Sequence, residues 1–304
     1  MKILIIGGTG HVGTFLVKKL VNNGHQVYVG TRGKTRQREG DYFNGAQFIE
    51  CNANDNESLN SLKQYRFDAV VDFPGTAFKV WTALKNDVSH VIACGSLWMF
   101  GYPHVVPTPE IRQDDVPFSS YRDRYAEMQT MLSESGIYKA VFTGIMPPNI
   151  CGPGKIPIDQ YGGRSIDMHR AMSEGKTVYI PNGPECLINP CDAEDIATLF
   201  KLAIENRTKS AGQLFNVGAD YSLTVSQMIN AYADIYGVSI PTQKVSWEKY
   251  IGEINTDKGG WWHFYAHMYP DLSKAKTILN YSPKYTPEES LRRAVEWMKQ
   301  QNLL

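Results

Sequence analysis

The sequence predicts an α/β protein: a doubly wound parallel sheet with helices on both faces and a smaller C-terminal lobe. Three observations lead there. Short uncharged apolar runs alternate with amphipathic segments through the first half of the chain, the pattern of strands buried on both faces by crossover helices. The first run, Ile3–Ile6, ends in a glycine turn, Gly7-Gly8-Thr9-Gly10-His11-Val12-Gly13, and a helix pattern follows at once. After Pro147-Pro148, glycine and proline become dense, and the chain leaves the sheet.

The elements follow from periodicity. Ile3–Ile6 is strand one, and Val12–Asn23 is a helix closed by Gly24. Gln26–Gly30 and Gln47–Glu50 are strands two and three, with a helix over Glu57–Tyr65. Asp68–Phe73 is strand four, Phe78–Asn86 a helix, and His90–Cys94 strand five. A long helix over Ser119–Glu134 stops before Gly136, and Tyr138–Ile145 is strand six. Beyond the prolines come a helix at Ser165–Ser173, a strand at Thr177–Ile180, a strongly periodic helix at Asp192–Ile204 and a strand at Gln213–Val217. Three helices remain: Thr224–Tyr236 with Thr224 as N-cap, Asp271–Leu279, and Thr286–Gln301 with a Thr286/Glu289 capping box. Residues 1–152 with 188–219 are expected to form the nucleotide-binding part, and 153–187 with 220–304 the substrate lobe.

Lysine plus arginine equals aspartate plus glutamate, 31 each, so the overall charge argues against a dedicated nucleic-acid binder. Five scattered cysteines do not form a disulfide framework, and neither Cys186/Cys191 nor His263/His267 brings the further ligands a metal site needs. No run approaches the length of a membrane span, and the expectation is a soluble cytoplasmic protein without a metal.

The glycine turn is the strongest functional signal. It lets the backbone approach a ligand closely and presents unpaired N–H groups and a positive dipole end to a pyrophosphate. With a strand before it and a helix after it, it predicts dinucleotide binding on a Rossmann-type fold.

The chain resembles the extended short-chain dehydrogenase/reductase family, the NAD(P)-dependent epimerases and dehydratases, along nearly all of its length. The motifs are the turn itself; Asn52-Ala53-Asn54-Asp55 where the family has Gly-Asp; Gly95–Gly101 with Ser96; Pro147–Gly154, with Met146 replacing an arginine; Asn189–Ala197; Asn216-Val217-Gly218; and Asp271–Ala275. The resemblance implies cofactor contacts from Gly7, Thr9, Gly10, His11, Val12 and Gly13, from Asn52, from Phe73, Pro74 and Gly75, and from Pro147. It also implies a homodimer built on helices near Thr76–Asn86 and Tyr121–Glu134, with a monomer as the alternative.

An acidic residue usually ends strand two in NAD enzymes of this type. Here Arg32 stands there, followed by Lys34, Arg36 and Arg38, with no acid before Glu39. Guanidinium groups pair with a phosphate dianion, so the expected cofactor is NADP, with NAD second.

In the family a tyrosine is the general acid/base, a lysine four residues later lowers its pKa, and an upstream serine binds the substrate oxygen. Ser96 and Tyr121 match, but the lysine position is Tyr125. A free tyrosine titrates near 10, so a nearby cation matters, and Arg124 shares the helix face. Two readings follow. One is an oxidoreductase, epimerase (an isomerase) or dehydratase with a variant Ser96–Tyr121–Arg124–Tyr125 site, acting on a carbonyl or nucleotide-sugar small molecule. The other is a weakly active or inactive NADP(H)-binding sensor or scaffold, or an RNA-associated protein. On the substrate side the candidates are Trp98, Asn149 and Lys176, with Arg164 and Arg170 as further cations. The aromatic stretch Gly259–Met268 is either a pocket wall or core.

Overall fold

The computed structural model describes residues 1–33, 43–256 and 260–304. Lys34, Arg36, Arg38, Glu39 and Gly259 lie outside the described residues. Seven parallel strands form the central sheet. Six are β1 (Lys2–Ile6), β2 (Gln26–Thr31), β3 (Gln47–Glu50), β4 (Ala69–Asp72), β5 (His90–Cys94) and β6 (Val141–Met146). With the Gln213–Asn216 strand, the spatial order is Gln213–Asn216, β6, β5, β4, β1, β2, β3. The order reverses between β1 and β4, and that switch point opens a crevice at the carboxyl ends of the strands.

Each strand feeds both faces because its side chains alternate. Ile3 and Ile5 pack with Val27 and Val29 under α1 (His11–Asn22) and the Ala193–Glu205 helix, and α2 (Asn56–Ser61) follows β3. Leu4 and Ile6 face the other way, with Val70 and Val91, under α3 (Ala77–Leu84) and α4 (Ser119–Glu134). A third cluster, including Tyr161, Val178, Ile188, Met228, Tyr232, Leu291 and Val295, builds a separate core beyond the sheet. Complete burial of side chains of this size stabilises by about 1.5–3 kcal/mol each.

The ends differ from the sequence expectations where local chemistry intervenes. Strand six starts at Val141 rather than Tyr138, whose ring instead lies under the Lys85 ammonium at 3.7 Å. The helix expected over 57–65 starts at Asn56, capped by Asp55, and tightens into a 3₁₀ turn over Leu62–Tyr65. The helix expected from Asp271 starts at Ser273, because the Asp271 carboxylate accepts from the Ser273 N–H at 2.8 Å. Both capping boxes, Thr224/Gln227 and Thr286/Glu289, are formed.

Short pairings escape sequence reading: Asn149–Cys151 with Pro190–Asp192, Leu187–Ile188 with Leu223–Thr224, and Thr242–Val245 with Val178–Pro181. The outer face of α3 and α4 presents Lys79, Thr82, Arg122, Asp123 and Gln129 to solvent. Among the described residues no helix is long and apolar enough to cross a membrane.

Candidate cofactor and active site

The turn after β1 is built for close approach. Gly7 has φ +78°, and a Cβ on it would lie 3.0 Å from Pro74 Cδ and 3.2 Å from Phe73 Cβ. The Gly10 N–H donates to Gly7 O at 2.9 Å. A Cβ on Gly13 would lie 2.6 Å from Gly7 O, so only glycine lets the helix start this close to the strand. Gly10 is the N-cap of α1, no side chain caps the helix, and its first turn holds no acid. The positive dipole end of the helix therefore meets no protein side chain or acid and favours an anion.

Val12 is buried in the core, so its backbone alone faces the turn. His11 does not point out to a ligand: its Nε2 lies 3.2 Å from Gly152 O, tying the turn to the chain that leaves β6.

Beside this turn lies a cleft of about 210 Å³, lined among others by Gly7, Thr9, Arg32, Asn52 and Pro74. Ala53 and Asn54 of the same motif line it too, and sequence reasoning missed Thr31, Cys51 and Thr76, which also line it. They flank the ends of β2, β3 and β4, and only the sheet order shows that those ends meet. Arg32 is exposed at the end of β2. Asn52 holds its own loop: its Oδ1 accepts from the Asn54 N–H at 3.2 Å, and its N–H donates to Ser58 Oγ at 2.9 Å. Burial pushes the Cys51 thiol up to about 11, so it lines the cleft as a neutral group.

The segment after β4 is shaped by Asp72. Its buried carboxylate accepts from the Gly75 and Thr76 N–H groups at 2.9 and 2.8 Å and from the Thr76 hydroxyl, closing the loop before α3. Burial raises its pKa against these bonds and the Arg124 charge. The Phe73 ring turns away into the core, 4.9 Å from Phe200, while its Cβ borders the glycine turn. Gly75 has φ +85°. On the far side of the crevice, Pro147 O accepts from the Leu97 N–H at 3.0 Å.

Ser96 caps the 3₁₀ turn Leu97–Phe100, its Oγ accepting from the Trp98 N–H at 3.3 Å. Tyr121 stands in the first turn of α4, half-buried, edge-on to Phe118 at 5.7 Å. The two side chains that follow it on α4 engage different elements. Arg124 Nη2 donates to Cys94 O at 2.9 Å, and its Cζ lies 6.0 Å from the Tyr121 ring centre. Tyr125 instead packs edge-on against Phe100 at 6.2 Å, with its hydroxyl at the Arg112 backbone, and burial raises its pKa. The expectation that Tyr125 belongs to the catalytic set is therefore corrected: its hydroxyl is engaged by the loop before α4.

The substrate-side candidates separate in the same way. Trp98 is buried in edge contacts with Tyr102, Phe118 and His263. Asn149 is buried, and both ends of its amide bond protein partners, His263 Nδ1 and the Asn189 N–H, so it does not reach out as a direct contact. Lys176 is exposed and paired with Glu174 at 2.6 Å on a surface turn, which removes it from the crevice. Arg170 is likewise on the surface, on Asp167 and Leu303 O. Arg164 stays inward, donating to Ile150 O and Ile156 O at 2.8 and 2.7 Å.

Met146, at the position of the missing arginine, is fully buried and fills the space that a side chain at Gly95 would need. Within the aromatic stretch, Trp262 packs on Phe118 at 5.3 Å, which joins the lobe to the start of α4. His267 accepts from the Leu187 N–H, so it and His263 serve different bonds.

The sequence matches the NmrA-like family over residues 1–302. It is 26% identical over 306 residues to the chloroplast stem-loop binding protein of 41 kDa b of Arabidopsis thaliana, covering 95% of this chain and 77% of that protein. It is 22% identical to the putative UDP-arabinose 4-epimerase 2 of the same plant, covering 98% of this chain and 79% of the relative. Among solved structures, UDP-glucose 4-epimerase with UDP-glucose from Thermotoga maritima superposes with a TM-score of 0.75 at 22% identity, covering 99% of this chain and 100% of that one. The enzyme WbmG of Bordetella bronchiseptica, in complex with NAD and UDP, gives 0.74 at 17% identity, covering 99% and 94%. These likenesses establish the fold, and the expected kinship with the NAD-dependent epimerases holds at that level.

Proposed function

The chain belongs to the NmrA-like family, and on that premise we propose that it is an NAD(P)-dependent enzyme of the epimerase, dehydratase or reductase type. The observation that carries the reading is the uncapped start of α1, closed on by Pro74 and opening beside the Arg32 cleft. The family match, and the NAD named with the superposable WbmG structure, support the kind of cofactor. The residues fit such a group: glycine where a Cβ would clash, a helix start with no side-chain cap or acid to face its phosphates, and Arg32 lining the same cleft to pair with a 2′-phosphate. We read the preference as NADP(H) because Arg32 takes the place of an acid at the end of β2.

The nicotinamide, when bound, supplies the hydride chemistry. The chain's own part is proton handling and positioning. Tyr121 holds and moves the proton, Ser96 orients the substrate oxygen, and Arg124 supplies near Tyr121 the positive charge that the absent lysine would give. Trp98, Phe118 and Trp262 pack edge to edge beside Tyr121, an apolar wall on that side of the site. The substrate class is a carbonyl compound or sugar nucleotide, in keeping with the epimerases among the relatives.

A second reading, a nucleotide-dependent binding protein without turnover, is favoured by Tyr125 in place of lysine and by the name of the stem-loop binding relative. One preparation separates the two. The enzyme reading expects NADPH binding together with turnover of UDP-glucose or a generic carbonyl substrate, lost by roughly 10²–10⁴-fold in Tyr121→Phe. Binding of NADPH and of a structured RNA, with no turnover and no effect of Tyr121→Phe, supports the second.

A further inference from the structure

Three residues from three separate segments form a directional chain on the lobe side of the crevice. Asn189 belongs to the loop before Pro190–Asp192, whose parallel pairing with Asn149–Cys151 sets it beside Asn149. The Asn189 N–H donates to Asn149 Oδ1 at 3.2 Å, and Asn149 Nδ2 lies 3.3 Å from His263 Nδ1. A backbone N–H can only donate, so Asn149 Oδ1 must be the acceptor and its amide nitrogen the donor. His263 Nδ1 is therefore the lone-pair nitrogen, and the hydrogen of the neutral ring sits on Nε2.

The starting point is fixed in turn. The Asn189 side chain is buried, donates to Tyr221 O at 2.8 Å and accepts from the Ala219 N–H at 2.9 Å. The His263 backbone is held as well, its carbonyl lying 3.3 Å from Cys186 Sγ. Burial and the neighbouring Arg164 charge hold the imidazole down to about 4, so it carries no second proton at neutral pH.

The His263 side chain is half-buried, and its Nε2 makes no hydrogen bond among the described residues. The ring lies 5.7 Å from Trp98 and 6.3 Å from Trp262, on the aromatic wall that continues through Phe118 to Tyr121.

We infer that His263 is a specificity residue that donates Nε2–H to an uncharged sugar oxygen of the substrate, with Asn149 as its positioning residue. The inference rests on the reading of the crevice as a substrate site and narrows what that site takes. A neutral fixed donor suits a hydroxyl or carbonyl oxygen, and the flanking indoles suit the apolar face of a sugar ring. Asn149, expected from the sequence to touch substrate, acts instead through the imidazole.

The test uses the intact protein labelled with ¹⁵N-histidine, with His263→Gln identifying the His263 resonances. The expected ligand-free spectrum at pH 7 shows one tautomer, protonated at Nε2 and bare at Nδ1, and in Asn149→Leu this gives way to a mixture. UDP-glucose should move the Nε2 resonance while UDP alone should not. His263→Phe should weaken UDP-glucose binding about tenfold relative to UDP, and His263→Gln, which keeps a donor, should recover most of it. A Nδ1–H tautomer, a doubly protonated ring, no binding of UDP-glucose, or binding that leaves Nε2 unmoved overturns the inference. NADPH titration of the same samples keeps the two failures apart. NADPH binding without the His263 response sinks this inference alone, and absence of NADPH binding sinks the cofactor reading on which it stands.

Discussion

The Arg124 guanidinium fills the space that a side chain at Gly75 would need: a Cβ there would lie 2.8 Å from its Cζ and 2.9 Å from Nη2. The same Nη2 donates to Cys94 O, so one side chain bridges the carboxyl ends of β4 and β5. A positive charge is thereby fixed on the floor of the crevice near Tyr121, reached from one position earlier on α4 than the family's lysine.

Gly75→Ala is expected to act through that relationship. The new methyl meets the guanidinium, and φ +85° strains any L-residue there. The expected outcome is a loss of about 1–3 kcal/mol of stability, read from urea midpoints, with a larger loss of kcat than of NADPH affinity.

Arg124 and Tyr125 give opposite expectations. Arg124→Ala should lower turnover by at least about tenfold without unfolding the protein, because it removes the charge and leaves Cys94 O without its donor. Tyr125→Lys should bring no gain: position 125 faces Phe100 and the Arg112 backbone rather than Tyr121, and a lysine there loses the ring packing. Steady-state rates on the two variants check both, and a gain in Tyr125→Lys would contradict the geometry.

Arg32→Ala should weaken NADPH about tenfold or more and NADH far less, since only NADPH carries the 2′-phosphate that a guanidinium pairs with. Parallel fluorescence titrations of the two cofactors measure this. Equal losses would return Arg32 to the status of a surface charge.

Acid should destabilise the fold through its buried imidazoles. Burial holds His90 down to about 3 and His169 to about 4, while an unfolded histidine titrates near 6.5. Below about 6.5 the unfolded chain binds protons that the folded chain refuses, so this stability is complete above 6.5 and is lost as pH falls toward 4. Asp192, raised by burial to about 6, pulls the other way below that value. From pH 7.5 to 6 the buried histidines, His263 among them, each cost on the order of 1 kcal/mol, and Asp192 offsets part of this as pH nears 6. The urea midpoint should fall across it, and His90→Gln should flatten the fall.

Much of the fold was legible because it depends on period and punctuation. Ser119–Glu134, His90–Cys94 and Gln47–Glu50 begin and end where their patterns do. The glycine turn was equally plain, since the steric demand at Gly13 is local. The pairings around Asn149, Leu187 and Thr242 were not, because each joins segments distant in the chain and no local pattern reports a distant partner. The site divides along the same line. Lys176 looked available until Glu174 was seen beside it, and Asn149 looked like a ligand contact until Asn189 and His263 took both ends of its amide. His263 itself stood only in the aromatic stretch and in an i, i+4 spacing with His267 that lacked the further ligands of a metal site, and neither signal reports its hydrogen bond to Asn149.

The most direct test of the central claim is calorimetric titration of the purified protein with NADPH, alongside Gly13→Ala, in which a methyl would lie 2.6 Å from Gly7 O. The account predicts one site per chain in the wild type, tighter for NADPH than for NADH, and binding abolished in a Gly13→Ala protein that still unfolds cooperatively. Absence of NADPH and NADH binding to the wild type, or undiminished binding in Gly13→Ala, would contradict it.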